Sequence, residues 1–347
     1  MRRLSICTIF CILAFTGVIL SQAPQPTPNL APAGEVVIGS GSFSPIVNDL
    51  ERSLKFYSDL VGAAAPAAIP AWNTDPAMLN FLGSPSAQIR FGTVRIPGSA
   101  MTVEIVEFKD IDRKPVRPRV SDAGAVRLIL IVRSLDSLLS RLVAQGVPVV
   151  TTGKAPIALR VPDAGRAVLV QDPDGFFIEL LQPDILPPSN APATSNVIGA
   201  RFGLTIDNTD QTMKLYRDLL GFQPQIGAEF SSDKALTDLL ATPGAQVRRS
   251  TAIVPGSALA VEFLEFRGIE RKPIGARIQD PGATRLQLRV RDSDATVKAL
   301  AAAGNTVITT GGDGGTILMS GLRVAVVRDP NNLFLVILTA APARGAR

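Results

Sequence analysis

IPGSAMTVEIVEF (96–108) recurs as VPGSALAVEFLEF (254–266), and this pair of stretches decides how the chain is read. IDRKP (111–115) returns as IERKP (269–273), and SDAGAVRLILIV (121–132) returns as QDPGATRLQLRV (279–290). Glu262 lies 158 residues after Glu104, and Arg285 lies the same distance after Arg127. One offset held over so many residues marks a tandem duplication.

Each copy holds two smaller units of similar layout. The first opens with a strand near Ser42–Val47, then LERSLKFYSDL (50–60), which places Leu50, Leu54, Tyr57 and Leu60 on one helical face. Strands follow near 88–94 and 102–108. The second unit opens with RLILIV (127–132) and continues with the helix LDSLLSRLVAQG (135–146), ended by Gly146. Strands near 149–152, 167–171 and 176–182 complete it, the last after a P-D-G turn. Copy two repeats the plan with the helix TDQTMKLYRDLL (209–220) and the strands VEFLEF (261–266), RLQLRV (285–290) and LFLVIL (333–338). An α+β fold follows, with domains at 36–185 and 197–341, a Pro/Ser/Asn-rich linker over 186–196 and a tail over 342–347.

Composition narrows the function. At 347 residues, 46% hydrophobic and 19% charged, the chain suits two globular domains. A net charge of +5 without a dense basic run argues against nucleic acid as a partner. There is no histidine, so the commonest metal ligand and the commonest general base are both missing. Residues 1–23 read as a signal peptide, with Arg2 and Arg3 before an uncharged run, or as an uncleaved membrane anchor. Export to the periplasm or medium is the expectation, with a membrane contact only if that segment is retained. Cys7 and Cys11 both lie inside it, so the mature chain has no disulfide and no thiolate ligand. A Pro-rich spacer over 24–35 follows.

The segments VNDLERSLKFYSDLVG (47–62), IDNTDQTMKLYRDLLGF (206–222), QDPDGFFIELLQ (171–182) and RDPNNLFLVIL (328–338) resemble the vicinal oxygen chelate superfamily. That superfamily includes glyoxalase I, bleomycin-resistance proteins and extradiol dioxygenases. The resemblance covers about residues 36–340. It implies paired βαβββ modules, each pair forming a curved mixed sheet around a pocket, with a divalent metal held by His and Glu. The ligand positions carry over to Ser42, Glu104, Arg127 and Glu179 in copy one. In copy two they fall on Arg201, Glu262, Arg285 and Val336. An arginine at each third position repels a dication, so no metal and no cofactor are expected.

Strand alternation assigns the pocket walls. In copy one, Arg127 shares a face with Ile129 and Ile131, Glu104 with Val106 and Phe108, Glu179 with Phe177 and Leu181, and Ser42 with Ser44 and Ile46. In copy two, Arg201, Thr205, Arg285, Gln287 and Arg289 face inward with Glu262; Asp207 shares the face of Arg201 and either joins them or lies at the rim, which would leave three positive charges facing one negative. Two readings compete. In one, each arginine replaces the lost metal as the ion-pair partner of a leftover glutamate. In the other, surplus arginines in copy two bind a small, anionic organic ligand. The resemblance also implies an enzymatic alternative, a lyase, isomerase or dioxygenase using Glu104 and Glu179. Three observations separate the functional classes: an open Arg-lined cavity for binding, a carboxylate of raised pKa in an apolar pocket for catalysis, and side chains filling both cups for a structural or interaction module. Tyr57 and Tyr216 read as helix packing and Trp72 as loop packing. The two R-K-P stretches read as module connections, and TTGGDGG (309–315) as a loop. The residues leave open the ligand, the oligomeric state and whether modules pair within a copy or between copies.

Overall fold

The structure, a computed structural model, describes residues 30–340 except 65, 161, 162, 313, 314 and 320. The signal or anchor segment, the spacer before residue 30 and the tail 342–347 lie outside the described residues.

The first module contains β1 (Val37–Val47), α1 (Leu50–Val61), α2 (Pro76–Phe81), β2 (Gln88–Arg95) and β3 (Thr102–Lys109). The second contains β4 (Val126–Val132), α3 (Leu135–Ala144), β5 (Ile157–Leu159), β6 (Gly165–Gln171) and β7 (Phe177–Pro183). The third contains β8 (Val197–Ile206), α4 (Thr209–Met213, continued by a π-helical stretch Lys214–Leu219), α5 (Lys234–Leu239), β9 (Gln246–Ile253) and β10 (Ala260–Arg267). The fourth contains β11 (Thr284–Val290), α6 (Ser293–Ala302), β12 (Thr306–Val307), β13 (Ile317–Met319), β14 (Leu322–Arg328) and β15 (Phe334–Ala340).

Local chemistry explains the helix limits. Asp49, Asn208 and Asp292 each accept a backbone N–H at the start of α1, α4 and α6. Gly62, at φ 73°, ends α1 in the left-handed region. One expected strand is corrected: near 149–152 only a bridge from Val149 to Val170 forms, followed by a single 3-10 turn at Thr152–Lys154. The matching strand in the first module also shrinks to a bridge, from Asn73 to Ile89. Pro66, Pro70 and Pro76 crowd that segment, and proline has no N–H to give a ladder.

Two curved mixed sheets result, each made from two modules, and the modules that share a sheet come from different copies. The first sheet has the order β12-β14-β15-β11-β1-β3-β2, joining module four to module one through the antiparallel pair β11 and β1, with β13 pairing β14. The second has the order β5-β6-β7-β4-β8-β10-β9, joining modules two and three through β4 and β8. Within each module the first and last strands run parallel, as β1 with β3 and β4 with β7 do.

The repeated motifs tie the sheets together. Gly98 and Gly256, both at φ 71°, sit in the two P-G-S turns. A Cβ there would lie 2.1 Å from the Ile198 carbonyl oxygen and 2.2 Å from that of Ile38, so each turn receives a strand of the opposite sheet only because the residue is glycine. At the R-K-P crossovers, Lys114 N donates to Asp280 and Lys272 N to Asp122, each at 2.8 Å, a pseudo-twofold exchange between copies.

One apolar core lies between the sheets' outer faces and the helices. Phe43 meets Phe176 and Phe202 edge to face in it. Each inner face is partly covered by a short helix from one module lying over the strands of the other. Leu79, Phe81 and Leu82, in and after α2, pack on Val106, Phe108 and Phe334. Leu239 and Leu240, in and after α5, pack on Leu169, Phe177 and Phe266. Thr309 Oγ1 donates to the Phe81 carbonyl at 2.8 Å and Thr151 Oγ1 to that of Leu239 at 3.1 Å. Thr309, just before the glycine-rich stretch, thus anchors α2 over the first cup, the concave face of the first sheet.

Candidate functional site

The inward alternation of the strands holds, and the cross-copy pairing decides which charges meet. In the first cup, Glu104 on β3 concentrates three donors on one oxygen, Oε2. They are Ser44 Oγ at 3.0 Å, Arg285 Nη2 at 3.0 Å and Gln287 Nε2 at 3.1 Å. Ser42 shares a hydrogen bond with Thr102 at 2.8 Å and donates its backbone N–H to Gln287 at 3.3 Å. Val336 adds only apolar surface. Arg285 is buried and its Nε has no hydrogen-bond partner. Burial lowers its pKa and Glu104 opposes that, but a guanidinium stays protonated at any ordinary pH.

The second cup, the concave face of the second sheet, contains a chain of ion pairs. Arg127, 2% exposed, lies between Glu179 on β7 at 2.6 Å and Glu262 on β10. Arg249 on β9 reaches both Glu262 and Asp163, and Asp163 also accepts from Arg201 Nη1 at 2.6 Å. Asp163 sits on the hairpin between β5 and β6. Gly203 opposite Arg127 leaves room for the guanidinium, since a Cβ there would stand a tight 3.1 Å from Arg127 Nη2. Burial raises the Glu179 pKa beyond what Arg127 takes back. Glu262 also suffers burial, but Arg127 and Arg249 together outweigh it and lower its pKa. Asp163 is likewise lowered: burial opposes, and Arg249 and Arg201 prevail.

Several expectations about grouping are corrected here. Glu104 and Glu179 do not share a pocket with Arg127; Glu104 pairs with Arg285 in one cup and Glu179 with Arg127 in the other. The expected ligand set of Arg201, Thr205, Glu262, Arg285, Gln287 and Arg289 is likewise divided. Arg285 and Gln287 face Glu104, while Arg201 and Glu262 belong to the second cup. Thr205 is buried with its hydroxyl on the Val120 carbonyl at 2.6 Å, and Arg289 is exposed at the strand end. The division between cups has one physical reason: β1 pairs with β11 and β4 with β8, so each copy contributes half of each cup. The expected surplus of cations also disappears, since Arg127, Arg201 and Arg249 face Glu179, Glu262 and Asp163.

Sequence reasoning missed Arg249 and Asp163. Arg249 pairs with Leu264 across β9 and β10, as Phe91 pairs with Val106 across β2 and β3, so strand register would have found it inside the cup. Asp163 lies on a turn, where periodicity carries no signal. Other expectations resolve as packing. Tyr57 and Tyr216 are fully buried and donate to Asp172 at 2.9 Å and Asp329 at 3.0 Å. Burial pushes both aspartates up to about 6 against the pull of their donors. The cations of Arg90 and Lys109 both lie over the Trp72 ring, 4.6 and 4.4 Å from its centre. Asp207 is at the rim, 66% exposed and 3.6 Å from Arg271.

A cavity of about 1000 Å³ opens beside the second cup. Its wall includes Arg201, Arg249, Asp163, Gln225 and Ile253, and the chain segment 31–36 closes one side. That segment is held by Ala31 N donating to Ser257 O and Gly256 N to Pro32 O, both at 2.9 Å. A smaller cavity, about 390 Å³, lies at the opposite end near Phe177, Leu240 and Pro243.

Comparison with known proteins matches this architecture. Residues 41–180 fit the model of the Glyoxalase/Bleomycin resistance protein/Dioxygenase superfamily. Residues 41–180 therefore carry a domain of this superfamily. Glyoxalase I from Zea mays has a similar fold at 13% identity, with TM-score 0.51 over 87% of this chain and 91% of that one. A putative dioxygenase from Bacillus subtilis subsp. subtilis str. 168 does so at 14% identity, with TM-score 0.52 over 90% and 87%. No curated protein matches in sequence. At these identities the likeness is one of fold.

The superfamily's divalent metal does not fit the residues present. The first cup offers one carboxylate, Glu104, with a guanidinium bonded to it. In the second cup Arg127 itself stands between the two carboxylates. Among the described residues no group of three His, Cys, Asp or Glu side chains is placed to hold an ion.

Proposed function

We propose that this protein is a binding protein that holds a small organic molecule without a metal, in the cavity beside Arg201 and Arg249. The supporting observation is the contrast within the second cup. Arg127 fills the place between Glu179 and Glu262, while Arg201 and Arg249, 31% and 25% exposed, border a cavity of about 1000 Å³. A cavity of that size is within the range of small-molecule sites. The enzymatic alternative has less support, because Glu104 and Glu179 stand in separate cups and each is bonded to a guanidinium. The structural reading suits the first cup, whose polar end is closed by its own hydrogen bonds. Export is proposed from the N-terminal sequence alone.

The test is elemental mass spectrometry on the signal-free chain purified without chelator, followed by a thermal-shift screen of small organic compounds. Metal-free protein is expected. Compounds that raise the melting temperature are expected to lose that effect in Arg249→Ala, each variant judged against its own ligand-free value. A stoichiometric dication would overturn the proposal, making Glu179 and Glu262 ligands and requiring Arg127 to point away.

A further inference from the structure

We infer that Asp163 is an internal stand-in for a ligand carboxylate, and that Arg201 and Arg249 form the specificity-determining pair for a carboxylate with an apolar body. This inference rests on the cavity reading above.

The argument starts from what each charge needs. Arg127 alone bridges Glu179 and Glu262, and Arg249 gives Glu262 a second partner. The two buried glutamates are thus served before Arg201 is counted. Copy one has Ser42 and Phe91 at the positions of Arg201 and Arg249, so both cations are additions peculiar to this cup. Without Asp163, three guanidinium groups, two of them at the cavity wall, would face the two buried carboxylates. Asp163 supplies the balance from outside the inward-facing strand positions: it is on the β5–β6 hairpin of module two and reaches arginines on β8 and β9 of module three. Arg201 and Arg249 bind it from two sides, and two cations converging on one carboxylate recognise carboxylate geometry and not merely negative charge.

The place that Asp163 fills is also part of the cavity wall. An incoming carboxylate can take over its bonds without exposing the arginines' burial cost anew, because one anion replaces another. The ligand then adds what an aspartate lacks, a body that covers the neighbouring apolar surface of Leu219, Ile253 and Pro255. Asp163 would keep the pair ordered when no ligand is present and would exclude anions too small to gain from that surface.

The test uses titration calorimetry on the signal-free full chain with benzoate and its neutral counterpart benzamide. Asp163→Asn keeps the shape and removes the competing charge. It is expected to bind benzoate at least about tenfold more tightly than the wild type, with benzamide unchanged. Adding Arg201→Gln to that variant is expected to abolish the gain. The inference is overturned if Asp163→Asn binds benzoate no better than wild type, including by failing to bind it at all, or if benzamide gains equally. Should Asp163→Asn fail to fold, Asp163→Ser carries the same comparison. Failure here leaves the cavity reading to its own test, since neutral compounds lost in Arg249→Ala would still support binding at this wall.

Discussion

The two cups descend from one repeated plan and differ at a few inward positions. In the first, one glutamate, Glu104, gathers a serine, a glutamine and an arginine on a single oxygen. In the second, three arginines and three carboxylates alternate from the buried Glu179 outward to Arg201 at the cavity. Arg201 replaces Ser42, Arg249 replaces Phe91 and Glu179 replaces Val336 at matching places. A cup with one partly exposed carboxylate can satisfy it with neutral donors and one cation. A cup with two buried ones cannot, because uncompensated buried charge is costly, and each added cation calls for a further anion. The chain of pairs therefore continues until it reaches a surface, and that surface is the cavity wall.

The comparison breaks most readily at Arg127. Arg127→Ala leaves Glu179 buried without an ion partner and should cost about 3–5 kcal/mol by urea denaturation. If it costs no more than the equivalent change in the first cup, the second cup does not depend on its central arginine more than the first does.

The next largest effect depends on pH and should be alike in both copies. Asp172 and Asp329 titrate near 6 in the folded chain against an ordinary value of 3.8. Their folded pKa is raised, so the stability they contribute is fully present below about pH 4 and is lost as pH rises through about 6. Each accounts for up to about 3 kcal/mol. Between pH 5 and 7.5 the wild type should lose stability, and the double variant Asp172→Asn with Asp329→Asn should lack that part of the slope. The carboxylates held below their ordinary range, Asp163 and Glu262, act in the opposite sense and only at lower pH, so they do not disturb this window. Unequal slopes for the two single variants would show that the copies have diverged in their cores as well as in their cups.

Arg285→Ala should be milder than Arg127→Ala, about 1–3 kcal/mol, because Glu104 is 22% exposed and keeps Ser44 and Gln287 as donors. Parity between the two arginine variants would remove the distinction between the cups. The smallest expected effect is the most direct test of how they are built. Cleavage at a protease site inserted after the exposed Leu186 should leave both fragments co-eluting in size-exclusion chromatography, since β1 with β11 and β4 with β8 join the copies. Separate elution would mean that modules pair within each copy.

Much of the molecule was legible beforehand because its signals are local. Period-two alternation correctly turned Glu104, Arg127, Glu179, Arg201, Glu262 and Arg285 inward, and the 3.6-residue spacing placed Leu50, Leu54 and Tyr57 on the buried face of α1. The missing strand near Val149 and the position of Asp163 were not legible. The first depends on a partner supplied by β6, and the second on a turn that crosses to another module.

The sequence by itself determined the duplication, the four modules, the superfamily likeness and the replacement of imidazoles by guanidinium groups, all of which are properties of residues and their near neighbours. Only the tertiary structure decided that Arg127 meets Glu262 and not Glu104, and that Arg285 meets Glu104 and not Glu262. All four modules present the same kind of first strand. The local pattern is then identical whether β1 pairs with β4 or with β11, and the choice rests on packing between segments far apart in the chain.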